Sequence, residues 1–199
     1  MNLVTGATGL LGSHVLIELT KRNLRVRAAY RNAQKQKAVQ HLFAYYFKEQ
    51  AGEKWALVEW VKADLLDIDD LKNVVQGSTT IYHCAALVSF FKADFEACIK
   101  HNRIATANVV NASLTHQVKK LCYVSSTAAV GINPNGMSSE LNKWEPGSEV
   151  SGYSVSKFLA EKEVWRGIEE GLNAVIINPC VIFGPGDWNS SSLAIFKAA

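Results

Sequence analysis

Apolar and polar residues follow two alternating rhythms along the chain. Short apolar runs recur, separated by stretches whose apolar residues lie three and four apart. The first rhythm predicts buried strands and the second amphipathic helices. Asn2 to Thr5 reads as a strand, and Leu10 to Asn23 as a helix with Leu11, Val15, Leu16 and Leu19 at helical spacing. Leu24 to Tyr30 is a second strand. Val39, Leu42, Phe43, Tyr46 and Phe47 predict a helix with one apolar face over residues 33–50. Trp55 to Val61 is the third strand, Asp67 to Val75 a short helix and Thr79 to Cys84 the fourth strand. Asp94 to Gln117 is a long helix, Lys120 to Ser125 the fifth strand, Tyr153 to Glu170 a helix and Leu172 to Ile177 the sixth strand.

Strand and helix alternating this regularly predict parallel strands joined by right-handed crossovers. The expected fold class is therefore α/β: a Rossmann-type doubly wound parallel sheet with helices on both faces. At 199 residues, one such domain over 1–199 is expected. The prolines agree with this division. Pro134, Pro146, Pro179 and Pro185 all follow residue 133, so the repeating scaffold before it has none. Proline lacks the N–H that ladders and helices need. Residues 131–152 and 183–199 read as loops on the substrate side.

Composition adds mainly exclusions. With 48% hydrophobic and 20% charged residues the chain is an ordinary globular one. No uncharged apolar run approaches the ~20 residues of a membrane helix, so no membrane association is expected. The net charge of +3 is too small to argue for nucleic acid. The N-terminus lacks the basic segment and long apolar stretch of a signal peptide. Cys84, Cys98, Cys122 and Cys180 form no CxxC pair, which predicts reduced thiols and a cytoplasmic protein. The five histidines are scattered and no HExxH occurs, so no metal is expected.

Candidate chemistry begins at LVTGATGLLGSHV, residues 3–15, between the first strand and the first helix. Gly6, Gly9 and Gly12 there permit a tight turn, close approach of a pyrophosphate, and close packing of helix on strand. The helix N-terminus adds unpaired N–H groups and a positive dipole end. The second strand ends in Tyr30 and Arg31, with Lys35 and Lys37 beyond. Enzymes preferring NAD usually carry an acidic residue here, whereas an arginine accommodates the 2′-phosphate of NADP. NADP is therefore favoured over NAD; basic residues on an exposed helix start are the plainer alternative.

YSVSK places Tyr153 and Lys157 four residues apart, on one face of a helix. A nearby ammonium favours a phenolate, and such a tyrosine can exchange a proton with a substrate oxygen. Ser125, Ser126 and Thr127 offer hydroxyls at the end of the fifth strand, the edge where ligands gather in such sheets.

With these motifs in hand, the chain resembles the extended short-chain dehydrogenase/reductases, the NAD-dependent epimerase/dehydratase family. TGATGLLG is similar to TGxxGxxG and YSVSK to YxxxK. VKADLLD, IYHCAA, HNRIATANVV and NPCVIFGPGD resemble further family motifs in the right order. The resemblance implies that Gly6, Thr8, Gly9, Leu10, Leu11 and Gly12 cradle the dinucleotide and that Asp64 and Leu65 meet its adenine. It implies that Cys84, Ala85, Ala86 and Asn102 line the cofactor and that Pro179 lies beside the nicotinamide. It also implies Tyr153 as acid/base, Lys157 as the residue tuning it and bonding the nicotinamide ribose, and Thr127 as the hydroxyl on the substrate oxygen, with Ser126 as the fallback.

The resemblance implies a small-molecule substrate, hydride transfer to or from nicotinamide, and a homodimer built on helices near 94–117 and 153–170. Asn178 stands where the family usually has arginine, Ala105 where it has glycine, and Gly131-Ile132 where many sugar-nucleotide epimerases have Tyr-Gly. With Arg31 and the apolar LVSFF after HCAA, this points towards the dihydroflavonol-reductase-like branch. Phe90 and Phe91 are candidates for an apolar pocket wall. The alternatives are a nucleotide-sugar epimerase or dehydratase, and a dinucleotide-sensing regulator without catalysis; Tyr153, Lys157 and Thr127 together favour an enzyme. Relatives usually continue with a further strand and a substrate-binding region, so much of the C-terminal part is expected to be missing.

Overall fold

The computed structural model describes residues 1–131, 136–145, 147 and 150–186. Pro134, Pro146 and Asp187 onward lie outside them, as do parts of both expected substrate-side loops. The chain runs β1 (Asn2–Thr5), α1 (Leu10–Lys21), β2 (Val26–Tyr30), α2 (Gln36–Phe47), α3 (Ala51–Trp55) and β3 (Val58–Lys62). It continues with α4 (Ile68–Val75), β4 (Thr80–His83), α5 (Phe95–Cys98), α6 (Ala105–Thr115), β5 (Lys120–Val124), α7 (Gly152–Glu169) and β6 (Ala174–Ile177). The six strands are parallel, in the order β3-β2-β1-β4-β5-β6. The order reverses between β1 and β4, and the crevice at that switch point is where doubly wound sheets bind ligands.

Side chains of successive strand residues face opposite layers. Leu3, Ile81, Leu121 and Tyr123 face a cluster completed by Leu71 of α4, Val109 of α6 and Val164 of α7. Val4, Val26 and Ala28 face the other, with Leu16 of α1 and Val39 and Phe43 of α2. The helices thus cover both faces of the sheet. Asp67 caps α4, its carboxylate accepting from the N–H groups of Asp69 and Asp70 at 2.9 and 3.0 Å.

Two expectations need correction. Trp55 ends a short helix and does not begin β3. There its ring centroid lies 5.2 Å from those of Phe43 and Trp60, and this aromatic packing displaces the strand start to Val58. The long helix expected over 94–117 is interrupted by a π-helical turn, Ile99–Ile104, between α5 and α6. Asn102, buried in that turn, bonds sideways to other elements, and single π turns of this kind often mark functional sites.

Candidate functional site

The site is built along the C-terminal edge of the sheet, where β1, β4 and β5 end. Gly6 follows β1 with φ of 64°, a left-handed conformation that glycine adopts without strain. A Cβ at Gly6 would lie 2.6 Å from the backbone of Ala85, so the turn presses directly on the chain leaving β4. A Cβ at Gly12 would lie 2.2 Å from the Gly6 oxygen, whereas at Gly9 the nearest atom is 3.3 Å away. Gly6 and Gly12 therefore close the turn, and at Gly9 a Cβ would press more lightly, on the Gly6 oxygen alone. Gly9 is the N-cap of α1 and offers no side-chain cap, and no acidic residue stands in the first turn. The N–H groups of Leu10, Leu11 and Gly12 belong to the uncapped end of a helix, with its positive dipole. Thr8 lies half-buried in the same turn.

The remaining expected cofactor residues follow the strands along the same edge of the sheet. Asp64 follows β3, and its carboxylate accepts from the Leu66 N–H at 3.0 Å. Leu65 is buried. Cys84, Ala85 and Ala86 leave the end of β4. Burial pushes the Cys84 thiol up to about 12, so it is a neutral wall group at ordinary pH. Arg31 is exposed beyond β2. Asn102 holds the chain after β4: its Nδ2 donates to the Leu87 oxygen at 2.9 Å and its Oδ1 accepts from the Leu87 N–H at 2.7 Å. The same Nδ2 donates to Ser156 Oγ of α7 at 2.8 Å. The structure thus gives Asn102 a bracing contact among β4, the π turn and α7.

Behind the turn, His83 is fully buried between Thr5 and Thr106. Its Nδ1 lies 2.7 Å from Thr5 Oγ1 and its Nε2 3.0 Å from Thr106 Oγ1. Burial, reinforced by the nearby Lys157, lowers its pKa to about 3. The ring is a neutral strut between β1, β4 and α6.

At the other end, Ser151 caps α7, its hydroxyl accepting from the Ser154 N–H at 3.1 Å. The helix then presents Tyr153, Lys157 and Glu161 at intervals of four. Burial raises the Tyr153 pKa, and a hydrogen bond with the Ser126 hydroxyl acts against that rise. Ser126 Oγ accepts from the Ala128 N–H at 3.1 Å, whereas Thr127 is exposed and its N–H donates to the Pro179 oxygen at 3.0 Å. Pro179 thereby ties the chain after β6 to the hydroxyl-bearing turn after β5. Lys157 Nζ donates to Tyr123 Oη and to the Val124 oxygen, each at 2.8 Å, and sits 4.4 Å from the Tyr123 ring centre. Burial lowers its pKa to about 7, and Glu161 acts in the opposite direction. In this structure the lysine is anchored on β5.

Sequence reasoning missed Glu161 and the role of Asn178. Glu161 accepts from Ser125 Oγ at 2.6 Å and from Asn178 Nδ2 at 2.9 Å through the same oxygen. Asn178 Nδ2 also donates to the Ser126 oxygen at 3.0 Å. One carboxylate and one amide thus clamp the ends of β5 and β6 under the candidate hydroxyls. The spacing of Glu161, four past Lys157, was readable as a shared helix face. Its partners on other strands were not. Phe90 stands 68% exposed, yet its ring centre is 5.8 Å from that of Tyr153, edge to face. An apolar surface therefore adjoins the phenol.

Among the described residues no cluster could hold a metal ion, and no helix is long and apolar enough to cross a membrane. The glycine turn pressed on Ala85 and the uncapped helix start that follows it fit a dinucleotide at the β1–β4 switch point.

Comparison with known proteins agrees. The NAD dependent epimerase/dehydratase family matches residues 2–197, and this chain belongs to it. The sterol demethylase protein B of Methylococcus capsulatus is 32% identical over 192 residues, 95% of this chain and 53% of that protein. The dihydroflavonol 4-reductase of Arabidopsis thaliana is 30% identical over 193 residues, 92% of this chain and 49% of that protein. The crystal structure of a UDP-glucuronic acid 4-epimerase from Bacillus cereus in complex with NAD superposes with a TM-score of 0.75 at 22% identity. It is covered over 57% of its chain by 92% of this one, and it shows the same fold. The chain spans about half the length of the curated relatives it matches. The family is one that binds a nicotinamide dinucleotide.

Proposed function

We propose that this chain is the single cofactor domain, over 1–199, of an NADP-dependent reductase acting on a small apolar carbonyl compound. The carrying observation is Tyr153 on α7 with Lys157 one helical turn along, anchored on β5 by Tyr123 and Val124, and the exposed Phe90 ring against Tyr153. When bound, nicotinamide supplies or accepts the hydride. The chain's own groups handle the proton and the orientation. Tyr153, its pKa raised by burial, carries its proton at neutral pH and donates it to the carbonyl oxygen during reduction. Ser126 holds that oxygen against the phenol, and the exposed Thr127 hydroxyl is the second candidate for the task. Lys157, anchored by Tyr123 and Val124, places an amine that titrates near neutrality behind the site, and its charged form favours the phenolate left after donation.

Arg31 supports NADP over NAD, since it occupies the place after β2 where an acidic residue would bond the ribose hydroxyls. The apolar Phe90 surface and the names of the reductase relatives favour a carbonyl substrate over a nucleotide sugar. The unpaired thiols of all four cysteines fit the reducing cytoplasm. Exposed Ile104 and Trp165, on the π turn and α7, support a homodimer through those helices.

A substrate screen tests the reading. NADPH absorbance is followed with aromatic and aliphatic ketones, aldehydes and nucleotide sugars, with product analysis for each. Consumption with an apolar carbonyl compound is expected. Isomerised nucleotide sugar without net consumption would establish the epimerase instead.

A further inference from the structure

Arg31 is exposed beyond β2, and its guanidinium meets the imidazole of His101, 70 residues later: Nη1 lies 3.4 Å from Nδ1. An arginine can only donate, so Nδ1 accepts and a neutral ring keeps its proton on Nε2. The meeting of two basic groups is unusual on an exposed surface. Among the described residues, the ion pairs involve other arginines and lysines and leave Arg31 without a carboxylate.

The place of His101 follows from buried structure. It stands on the π turn beside Asn102, which is fixed by its three bonds to Leu87 and Ser156. The turn is therefore held by contacts far more buried than the histidine it presents. The charged groups bearing on His101 come from three elements. Arg31 after β2 and Lys100 on the same turn disfavour its charged form, and Asp64 after β3 favours it. Burial disfavours it most, which keeps the free ring below its ordinary value. An arriving dianion would reverse that balance, since an opposite charge beside an imidazole favours imidazolium.

We propose that Arg31 and His101 together form a phosphomonoester subsite that grips the 2′-phosphate of NADPH, His101 taking up a proton from solvent as the dianion docks. The proposal rests on the NADP reading above and extends it to a second residue. Arg31 supplies the permanent charge and His101 a charge that appears on binding.

Titration of the full chain with NADPH and with NADH, by quenching of tryptophan fluorescence at pH 6.5 and 8.5, tests this. The proteins are the wild type, Arg31→Ser and His101→Gln. The wild type is expected to prefer NADPH, more strongly at pH 6.5. Arg31→Ser should lose the preference. His101→Gln should keep its NADH affinity, which reports an intact fold, and bind NADPH about fivefold more weakly at pH 6.5, as for a single exposed charge contact. The ligand's own phosphate titrates alike in all three proteins, so the difference between wild type and His101→Gln isolates the imidazole. An NADPH preference that Arg31→Ser abolishes but His101→Gln leaves intact at both pH values would overturn the subsite alone. Equal binding of the two cofactors by the wild type would overturn the NADP reading and the subsite with it.

Discussion

At Gly12 the site is made of backbone, and at Tyr153 it is made of side chains. The glycine turn holds its shape because atoms that would obstruct it are absent: a Cβ at Gly12 would sit 2.2 Å from the Gly6 oxygen. The cluster on α7 holds its shape because polar atoms from β5, the chain after β6 and α7 meet in a half-buried space. Ser125, Glu161, Asn178 and the Ser126 oxygen bond one another there, and Lys157 bonds Tyr123 and the Val124 oxygen beside them. The first region spans residues 6–12 and touches the rest of the chain through Gly6 against Ala85. The second joins residues separated by up to 52 positions. Damage to the first should therefore disturb fold and binding together. Damage to the second should change rate while leaving the fold in place.

The largest effect is expected at Gly12→Val. The clash is with backbone, which no rotamer change relieves, and the helix must move off β1. Loss of several kcal/mol is expected, on the order of the worst single substitutions, read as loss of a cooperative thermal transition together with NADPH binding. A folded Gly12→Val protein that still bound the cofactor would remove the steric basis of the comparison.

Tyr153→Phe should come next, in rate alone. Turnover is expected to fall ~100-fold or more, the usual scale for a lost acid/base group, with NADPH affinity nearly unchanged. Ser126→Ala and Thr127→Ala, measured alongside, separate the two hydroxyls: the larger loss of kcat is expected at Ser126. Full turnover in Tyr153→Phe would end the proposed role of the phenol.

A smaller effect links the two regions through His83. Its folded-state pKa, about 3, lies below the ordinary 6.5. The unfolded chain therefore binds a proton that the folded one refuses. The contribution of this group to stability is complete above pH 6.5 and lost as pH falls towards 3. Between pH 6.5 and 5, above most carboxylate titrations, the loss should be about 2 kcal/mol. Chemical denaturation at the two pH values measures it; a flat stability over that interval would show that the ring is solvated.

The smallest effect is expected at Glu161→Gln, which keeps the shape of the clamp and removes its charge. Lys157 loses the carboxylate that favours its charged form, and the Ser125 and Asn178 bonds become neutral ones. A kcat lower by about tenfold is expected, near the worth of one charged hydrogen bond, with NADPH affinity unchanged. An equal loss in both quantities would move Glu161 from the rate to the binding side of the comparison.

The legibility of the two regions in the sequence differs for the same reason. Gly6, Gly9 and Gly12 state their conformation locally, and the alternating apolar rhythm placed them at the first strand–helix junction. Tyr153 and Lys157 were readable as neighbours because a helix puts residues four apart on one face. The π turn was hidden, because its cause is Asn102 reaching Leu87 and Ser156, on segments remote in sequence. The helical ending of Trp55 was hidden too, since Phe43 and Trp60 draw its ring into the core.

The sequence by itself determined the parallel α/β architecture, the glycine turn and the placing of Tyr153 and Lys157 on one helix face, because hydrophobic period and backbone sterics act over a few residues. Only the tertiary structure decided that Phe90 packs on Tyr153, that Lys157 anchors on Tyr123 and Val124, that Glu161 and Asn178 clamp two strand ends, and that His101 meets Arg31. Buried polar atoms must find partners wherever the fold brings them, and those partners come from distant parts of the chain.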